Sequence, residues 1–159
     1  MLRAYIPGDR EEYIQMVTHE DVLRFAGGAL SKDRASELFD RFLNGQFPYE
    51  IWAVLDRLSG KYMGHIFFSN LDEARDADPP GPELGFALLP PVWGRGYATE
   101  ATKRVLRYAF GNGGYSRVYA TVDLDNKASI RVIEKLSMKR IRMCEDEQGA
   151  YWLFAIDAI

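Results

Sequence analysis

The stretch Glu83–Ala101 limits what this chain can fold into more than any other. A β-rich run, Glu83-Leu84-Gly85-Phe86-Ala87-Leu88-Leu89, meets Pro90-Pro91. Proline has no N–H to give a ladder, so the strand halts there. Gly94 and Gly96 then flank Arg95, and a helical pattern opens at Tyr97 with Ala98, Ala101, Val105 and Ala109 on one face. A strand that turns through glycines into a helix leaves free N–H groups at the positive end of the helix dipole, where a phosphate or pyrophosphate can sit. The glycines permit the turn and let a ligand approach the backbone, and Arg95 can add a charge-assisted contact. Taken alone, the pair fits a turn that merely starts a helix equally well. Two nucleotide folds are set aside. The Rossmann G-x-G-x-x-G fails at Thr99, where its third glycine would fall, and no Gly-Lys-Ser/Thr follows at P-loop spacing.

The remaining pattern supplies the fold class. Leu2–Ile6 predicts a short strand, and Asp9 is placed to cap a helix carrying Tyr13, Ile14 and Val17. Ser31 caps a second helix, with Ala35, Leu38, Phe39, Phe42 and Leu43 at helical spacing and a stop at Asn44-Gly45. Tyr49–Asp56 and Lys61–Leu71, joined by Arg57-Leu58-Ser59-Gly60, predict an antiparallel hairpin. Asp72–Gly81 is acidic and rich in proline, an exposed loop. After the helix Tyr97–Phe110, ended by Gly111, Gly113 and Gly114, come a strand at Arg117–Val122 and a helix at Asn126–Leu136 with Ile130, Val132, Ile133 and Leu136 as its apolar set. Strands at Lys139–Cys144 and Tyr151–Ile156 flank a turn at Gln148-Gly149. This order predicts an α+β fold with a mixed, largely antiparallel central sheet flanked by helices. A chain of 159 residues fits one domain.

Composition excludes several classes. With 47% hydrophobic residues the chain can bury a core without staples, and its one cysteine, Cys144, rules out an internal disulfide framework and reads as a packed or half-exposed strand thiol. A net charge of -3 argues against broad nucleic-acid binding and suits a cationic substrate such as an amine. No apolar run approaches the roughly 18 residues of a membrane span, and Met1–Pro7 is too short and polar for a secretory signal, so a cytoplasmic protein is the expectation.

Two motifs carry a family resemblance. Trp93-Gly94-Arg95-Gly96-Tyr97-Ala98-Thr99-Glu100-Ala101 resembles the acyl-CoA pyrophosphate loop of the GNAT superfamily of N-acetyltransferases, written Q/R-x-x-G-x-G/A. Gly96 and Ala98 match its last two fixed positions. Trp93 replaces the leading Gln/Arg, as is frequent in the branch that acetylates the N-termini of ribosomal proteins. Asn126–Met138 is similar to that branch's helix N-x-x-S-x-R-V-x-E-K-x-G-F/M, and the two motifs come in the right order. The resemblance covers Tyr49 to Ile156 and is weak before that. Two departures stand out. Ser137 takes a position where glycine is usual, at a cost if the backbone there needs positive φ. Many members carry a tyrosine seven residues after the helix-opening asparagine, as general acid to the leaving thiolate, where this chain has Ile133.

The resemblance implies a single N-acetyltransferase domain over residues 1–159, with acetyl-CoA as co-substrate, no metal, and an amine acceptor, either a peptide N-terminus or a small molecule. A homodimer, the commonest assembly, is compatible with it. Backbone around Leu88 and Leu89 would pair with the pantetheine arm, and Arg95, Gly96, Tyr97, Ala98 and Thr99 would hold the pyrophosphate. Asn126 would bind pantetheine or fix the strand splay, with helix N-capping as a compatible alternative, and Ser129 would sit near sulfur as the remaining acid, unless water serves. Glu83 is the candidate base and His65 its alternative; a solvated strand residue and a structural histidine are the plainer readings of the two. Phe25, Phe39, Phe42, Trp52 and Trp152 line an acceptor pocket or pack the core, and the acidic runs Asp72–Asp78 and Glu145–Glu147 attract a cation or are simply solvated. A catalytically silent acyl-CoA-binding module is the rival to an enzyme, and a site for another nucleotide is the third reading.

Overall fold

The structure, a computed structural model, describes residues 1–46, 50–70 and 81–158. Strand β1 (Leu2–Arg3) is followed by helices α1 (Arg10–Val17) and α2 (Lys32–Leu43), then by strands β2 (Glu50–Leu55), β3 (Tyr62–Asn70) and β4 (Pro82–Leu88). Helix α3 (Tyr97–Gly111), strand β5 (Arg117–Asp123), helix α4 (Lys127–Lys135) and strands β6 (Lys139–Asp146) and β7 (Gly149–Asp157) complete the chain. The strands hydrogen-bond in the order β1-β2-β3-β4-β5-β7-β6. β1 runs antiparallel to β2, and β7 antiparallel to both β5 and β6. β4 runs parallel to β5, with Glu83 opposite Tyr119. The sheet is mixed and largely antiparallel, as the element order predicts. The acidic stretch Asp72–Asp78 lies outside the described residues.

By compactness the chain divides into two units, Met1–Phe67 with Phe86–Tyr97, and Phe68–Gly85 with Ala98–Ile159. The first has an aromatic core. Tyr5, Tyr13, Met16, Val17, Ala35, Phe39, Ala53, Leu55, Tyr62 and Ala87 are buried together. Tyr5 meets the edges of Tyr13 and Phe39 at 5.7 and 5.4 Å between ring centroids, the edge-to-face geometry that ring quadrupoles favour. Asp9 stands at the N-cap position of α1 but makes no cap bond with its side chain. Its carboxylate instead accepts two bonds from the Arg3 guanidinium, at 2.6 and 2.8 Å, and one from the Ile6 N–H at 2.9 Å. Burial alone would raise this carboxyl; the bonds from Arg3 and Ile6 outweigh it and hold the group below the usual carboxylate range. Ser31 does cap α2, accepting from the Arg34 N–H at 3.2 Å.

In the second unit Tyr119, Leu153 and Ala155 form a buried cluster, with the half-buried Cys144 packed against it. The inward face of α3 is Thr102, Val105, Leu106 and Ala109, one position round from the alanine stripe that the sequence suggests. Thr102 can turn inward because its hydroxyl donates to the Ala98 carbonyl at 2.6 Å, which hides the polar atom against its own helix. After α4 the backbone reaches φ 63° at Ser137, the position where glycine is usual in the resembled helix motif.

A β-carbon in that left-handed conformation costs roughly 1–2 kcal/mol. We therefore expect Ser137→Gly to stabilise the protein by about 0.5–1 kcal/mol, after the extra freedom of glycine in the unfolded chain is subtracted. Urea denaturation checks this, and a midpoint at or below wild type would contradict it.

Candidate active site

The cradle is built by one continuous segment. Leu89 leaves β4 extended, residues Pro90–Val92 form a single 3-10 turn, and α3 begins at Tyr97. Gly94 and Gly96 have φ of 71° and 84°, which glycine adopts freely and other residues do not. A β-carbon built on either would meet no other atom within 4 Å, so the space before both backbones is open. The first N–H groups of any helix have no acceptor in their own helix. Among the described residues, no backbone carbonyl in a turn or cap accepts from Arg95, Gly96, Tyr97, Ala98 or Thr99. The segment is exposed from Trp93 to Gly96, and the Arg95 guanidinium lies 5.5 Å above the Tyr97 ring. Unpaired donors, the positive end of a 15-residue helix, open backbone and an exposed cation together fit a pyrophosphate.

The strand end behind the cradle is more engaged than the sequence suggests. The Leu89 N–H donates to the Met63 carbonyl at 2.8 Å, and the Leu89 carbonyl accepts from the Val92 N–H at 3.1 Å. The Leu88 carbonyl accepts from the Trp93 indole Nε1–H at 2.6 Å. In a strand the two backbone groups of a residue face one neighbour and those of the next residue face the other way. Since Leu89 faces β3, Leu88 points to the opposite edge, and its N–H is directed there. Leu89 has neither backbone group to spare in this conformation. Leu88 and Leu89, both expected at the pantetheine arm, thus differ in that Leu88 keeps a backbone N–H directed away from β3.

Two further groups of candidate residues are placed by the second unit. Thr121 donates its hydroxyl to the Glu83 carboxylate, a partner the sequence reading missed. Two residues beyond Tyr119, which lies opposite Glu83, strand alternation puts Thr121 on the same face as Tyr119; only the pairing of β4 with β5 reveals this. Both side chains are half-buried. At α4 the Asn126 side-chain oxygen accepts from the Ser129 N–H at 3.1 Å, so Asn126 is the N-cap. Ser129 is half-buried on the first turn, while Ile133 is fully buried. The position of the superfamily's tyrosine acid is therefore a core position in this chain.

His65 sits in the core of the first unit at 6% exposure. Its Nδ1 is 3.1 Å from the Tyr5 hydroxyl, which is 2.7 Å from the Tyr62 hydroxyl. Burial pushes the imidazole down to about 4 and the Tyr5 phenol well up, so both are neutral near pH 7. The contribution of neutral His65 to stability is therefore complete above pH about 6.5 and is lost as the pH falls towards 4. Phe39 is fully buried and Phe42 packs on the same cluster, whereas Phe25 is partly exposed. Trp152 lies under the Arg140 guanidinium at 4.4 Å. Among the described residues no group of three or more His, Cys, Asp or Glu could hold a metal ion. No helix there is long and apolar enough to cross a membrane.

The profile of the acetyltransferase (GNAT) domain matches residues 1–139, most of the chain. The protein belongs to the GNAT acetyltransferases. A curated relative, the uncharacterized N-acetyltransferase YoaA of Bacillus subtilis, is 26% identical over 144 residues, 88% of this chain and 79% of that protein. Among solved structures, a GNAT-family acetyltransferase from Bacillus anthracis superposes with a TM-score of 0.83 at 23% identity, covering 99% of this chain and 93% of that one. Spermidine N-acetyltransferase from Vibrio cholerae, solved with CoA and spermine, reaches 0.82 at 16% identity, covering 99% and 95%. At such identities the superpositions show a shared fold. For this GNAT acetyltransferase the geometry of the glycine turn makes a direct prediction. Gly96→Asp adds a β-carbon at φ 84° and a negative charge before the free donors, so CoA binding should weaken at least tenfold. Calorimetric titration with CoA measures it, and unchanged affinity would exclude the cradle as the pyrophosphate site.

Proposed function

We propose that this N-acetyltransferase carries an acetyl group from acetyl-CoA directly to a primary amine, the N-terminus of a protein or a small amine. The observation that carries the reading is the cradle at Gly94–Thr99, exposed from Gly94 to Gly96, with open space before both glycines and no backbone acceptor for its N–H groups in the turns and caps of the described residues. Residues 1–159 act as one catalytic domain. The likeness of Trp93–Ala101 and Asn126–Met138 to the ribosomal-protein branch favours a peptide N-terminus as acceptor. The spermine bound to the structurally similar Vibrio cholerae enzyme favours a small cationic amine.

Acetyl-CoA supplies the activated acyl thioester; the chain's own residues grip it and ready the amine. Backbone groups of Arg95, Gly96, Tyr97, Ala98 and Thr99 bind the pyrophosphate, and the Leu88 N–H holds the pantetheine arm. An α-amine of pKa about 8 or a lysine-like amine of about 10.4 must lose its proton before attack, which costs roughly 1.4 to 4.6 kcal/mol at pH 7. Glu83, steadied by the Thr121 hydroxyl, takes that proton directly or through water. Ser129, at the start of α4 and beside its cap, serves the leaving thiolate in place of the missing tyrosine, or water does so. Buried Ile133 gives one reason for a second reading, an acyl-CoA binder without turnover.

Release of free CoA from acetyl-CoA across N-terminal peptides, amino acids, polyamines and aminoglycosides decides between them. Amine-dependent release with one class is expected, and binding of acetyl-CoA with no release above hydrolysis would leave the silent module. Glu83→Gln keeps an oxygen for Thr121 and loses only the base. Its rate should fall about 100-fold at pH 7 and distinctly less at pH 9, where more of the amine is already neutral. A loss equal at both pH values would remove Glu83 from the role.

A further inference from the structure

The Trp93 ring is 47% exposed, yet its Nε1–H makes a 2.6 Å bond to the Leu88 carbonyl. That bond spans the mouth of a turn already closed from inside, by Val92 N–H to the Leu89 carbonyl and Trp93 N–H to the Pro90 carbonyl, both at 3.1 Å. Pro90 and Pro91 fix their own φ, so the turn is stiff as far as Trp93. Beyond it, Gly94 and Gly96 have no side chains to restrict rotation, and among the described residues no backbone bond of a turn or cap starts from either N–H. Among the described residues the indole is thus the last tie to the strand before the chain reaches the helix. It satisfies the Leu88 carbonyl and leaves the N–H of the same residue on the free side.

We propose that Trp93 is a positioning residue: its indole N–H ties the glycine cradle to the end of β4 and so sets the distance between the N–H groups at Gly94–Tyr97 and the Leu88 N–H. This rests on the acyl-CoA reading, in which those two places grip the pyrophosphate and the pantetheine of one ligand. When two grips are held at the right spacing, the second is made at high effective concentration; when the spacing drifts, that advantage is lost. The Leu88 carbonyl accordingly belongs to the protein's own scaffold and not to the ligand. Trp93 acts through the backbone it anchors and need not touch the cofactor.

The test uses the full chain, labelled with 15N and titrated with CoA. Trp93→Phe keeps an aromatic ring and deletes the donor, and Trp93→Gln restores an N–H donor on a flexible side chain. In the Phe variant the amide resonances of Gly94 and Gly96 should shift or broaden while those of α1 and α2 stay in place, and CoA affinity should fall roughly tenfold, the worth of one good hydrogen bond. The Gln variant should bind CoA more tightly than the Phe variant. Wild-type affinity in the Phe variant would overturn the proposal. So would weakened binding with the glycine resonances unmoved, because Trp93 would then be touching the ligand itself. Failure of the wild-type chain to bind CoA would overturn the acyl-CoA reading, and this proposal with it.

Discussion

A helix cannot satisfy the N–H groups of its own first turn, and the site in this protein grows from that constraint. Most helices resolve it with a capping side chain, as Ser31 does for α2 and Asn126 for α4. Before α3 the chain has two glycines at positive φ, which offer no side chain to cap anything. Among the described residues those donors find no turn or cap carbonyl, and the dipole of the 15-residue helix adds its positive end to them. Prolines just upstream stop the strand and stiffen the turn, so the donors are held at a defined place. Two helices lack a capping side chain: α1, whose Asp9 turns to Arg3, and α3, which opens directly after Gly96.

The aromatic core shows the opposite economy, in which every polar atom must find a partner inside. Tyr5, Tyr62 and His65 satisfy one another, and Tyr62 also reaches the Met16 sulfur at 3.7 Å. Tyr62 and His65 are three apart on β3, and a regular strand would send them to opposite faces. Gly64 between them has φ 148°, which breaks the alternation and brings both to Tyr5. A β-carbon on Gly64 would fall 2.2 Å from the Ala87 carbonyl oxygen, so the same glycine also permits the close approach of β3 to β4. Unpaired, these hydroxyls would destabilise the core that α1 and α2 pack upon.

Arg3 and Asp9 show how a local rule yields to a tertiary one. An aspartate just before a helix is placed to cap it, yet Asp9 is buried beside Arg3, and the charged pair takes its oxygens first. The same happens at Leu88 and Leu89, whose backbone groups look available in a strand that ends at proline. Met63, Val92 and the Trp93 indole have claimed three of the four. Charged hydrogen bonds and short-range turn bonds are stronger or cheaper in entropy than the alternatives a linear reading offers.

What the sequence by itself determined is whatever depends on neighbours along the chain. Helical and strand periods, proline stops, the Ser31 cap and the glycine turn are set within a few residues, so the α+β order, the mixed sheet and the strand-to-helix glycine segment are legible in it. Even the awkward backbone at Ser137 could be anticipated from a motif in which glycine is usual. The tertiary structure alone decided what depends on residues far apart in sequence. Thr121 meets Glu83 across 38 positions, and His65 meets Tyr5 across 60. The inward turn of α3 onto Thr102 belongs with these, since the surface a helix meets, and not its apolar stripe alone, selects the buried face. Hydrogen bonds and packing are blind to chain separation, whereas propensity and period see only a short window, and that difference divides the two kinds of knowledge.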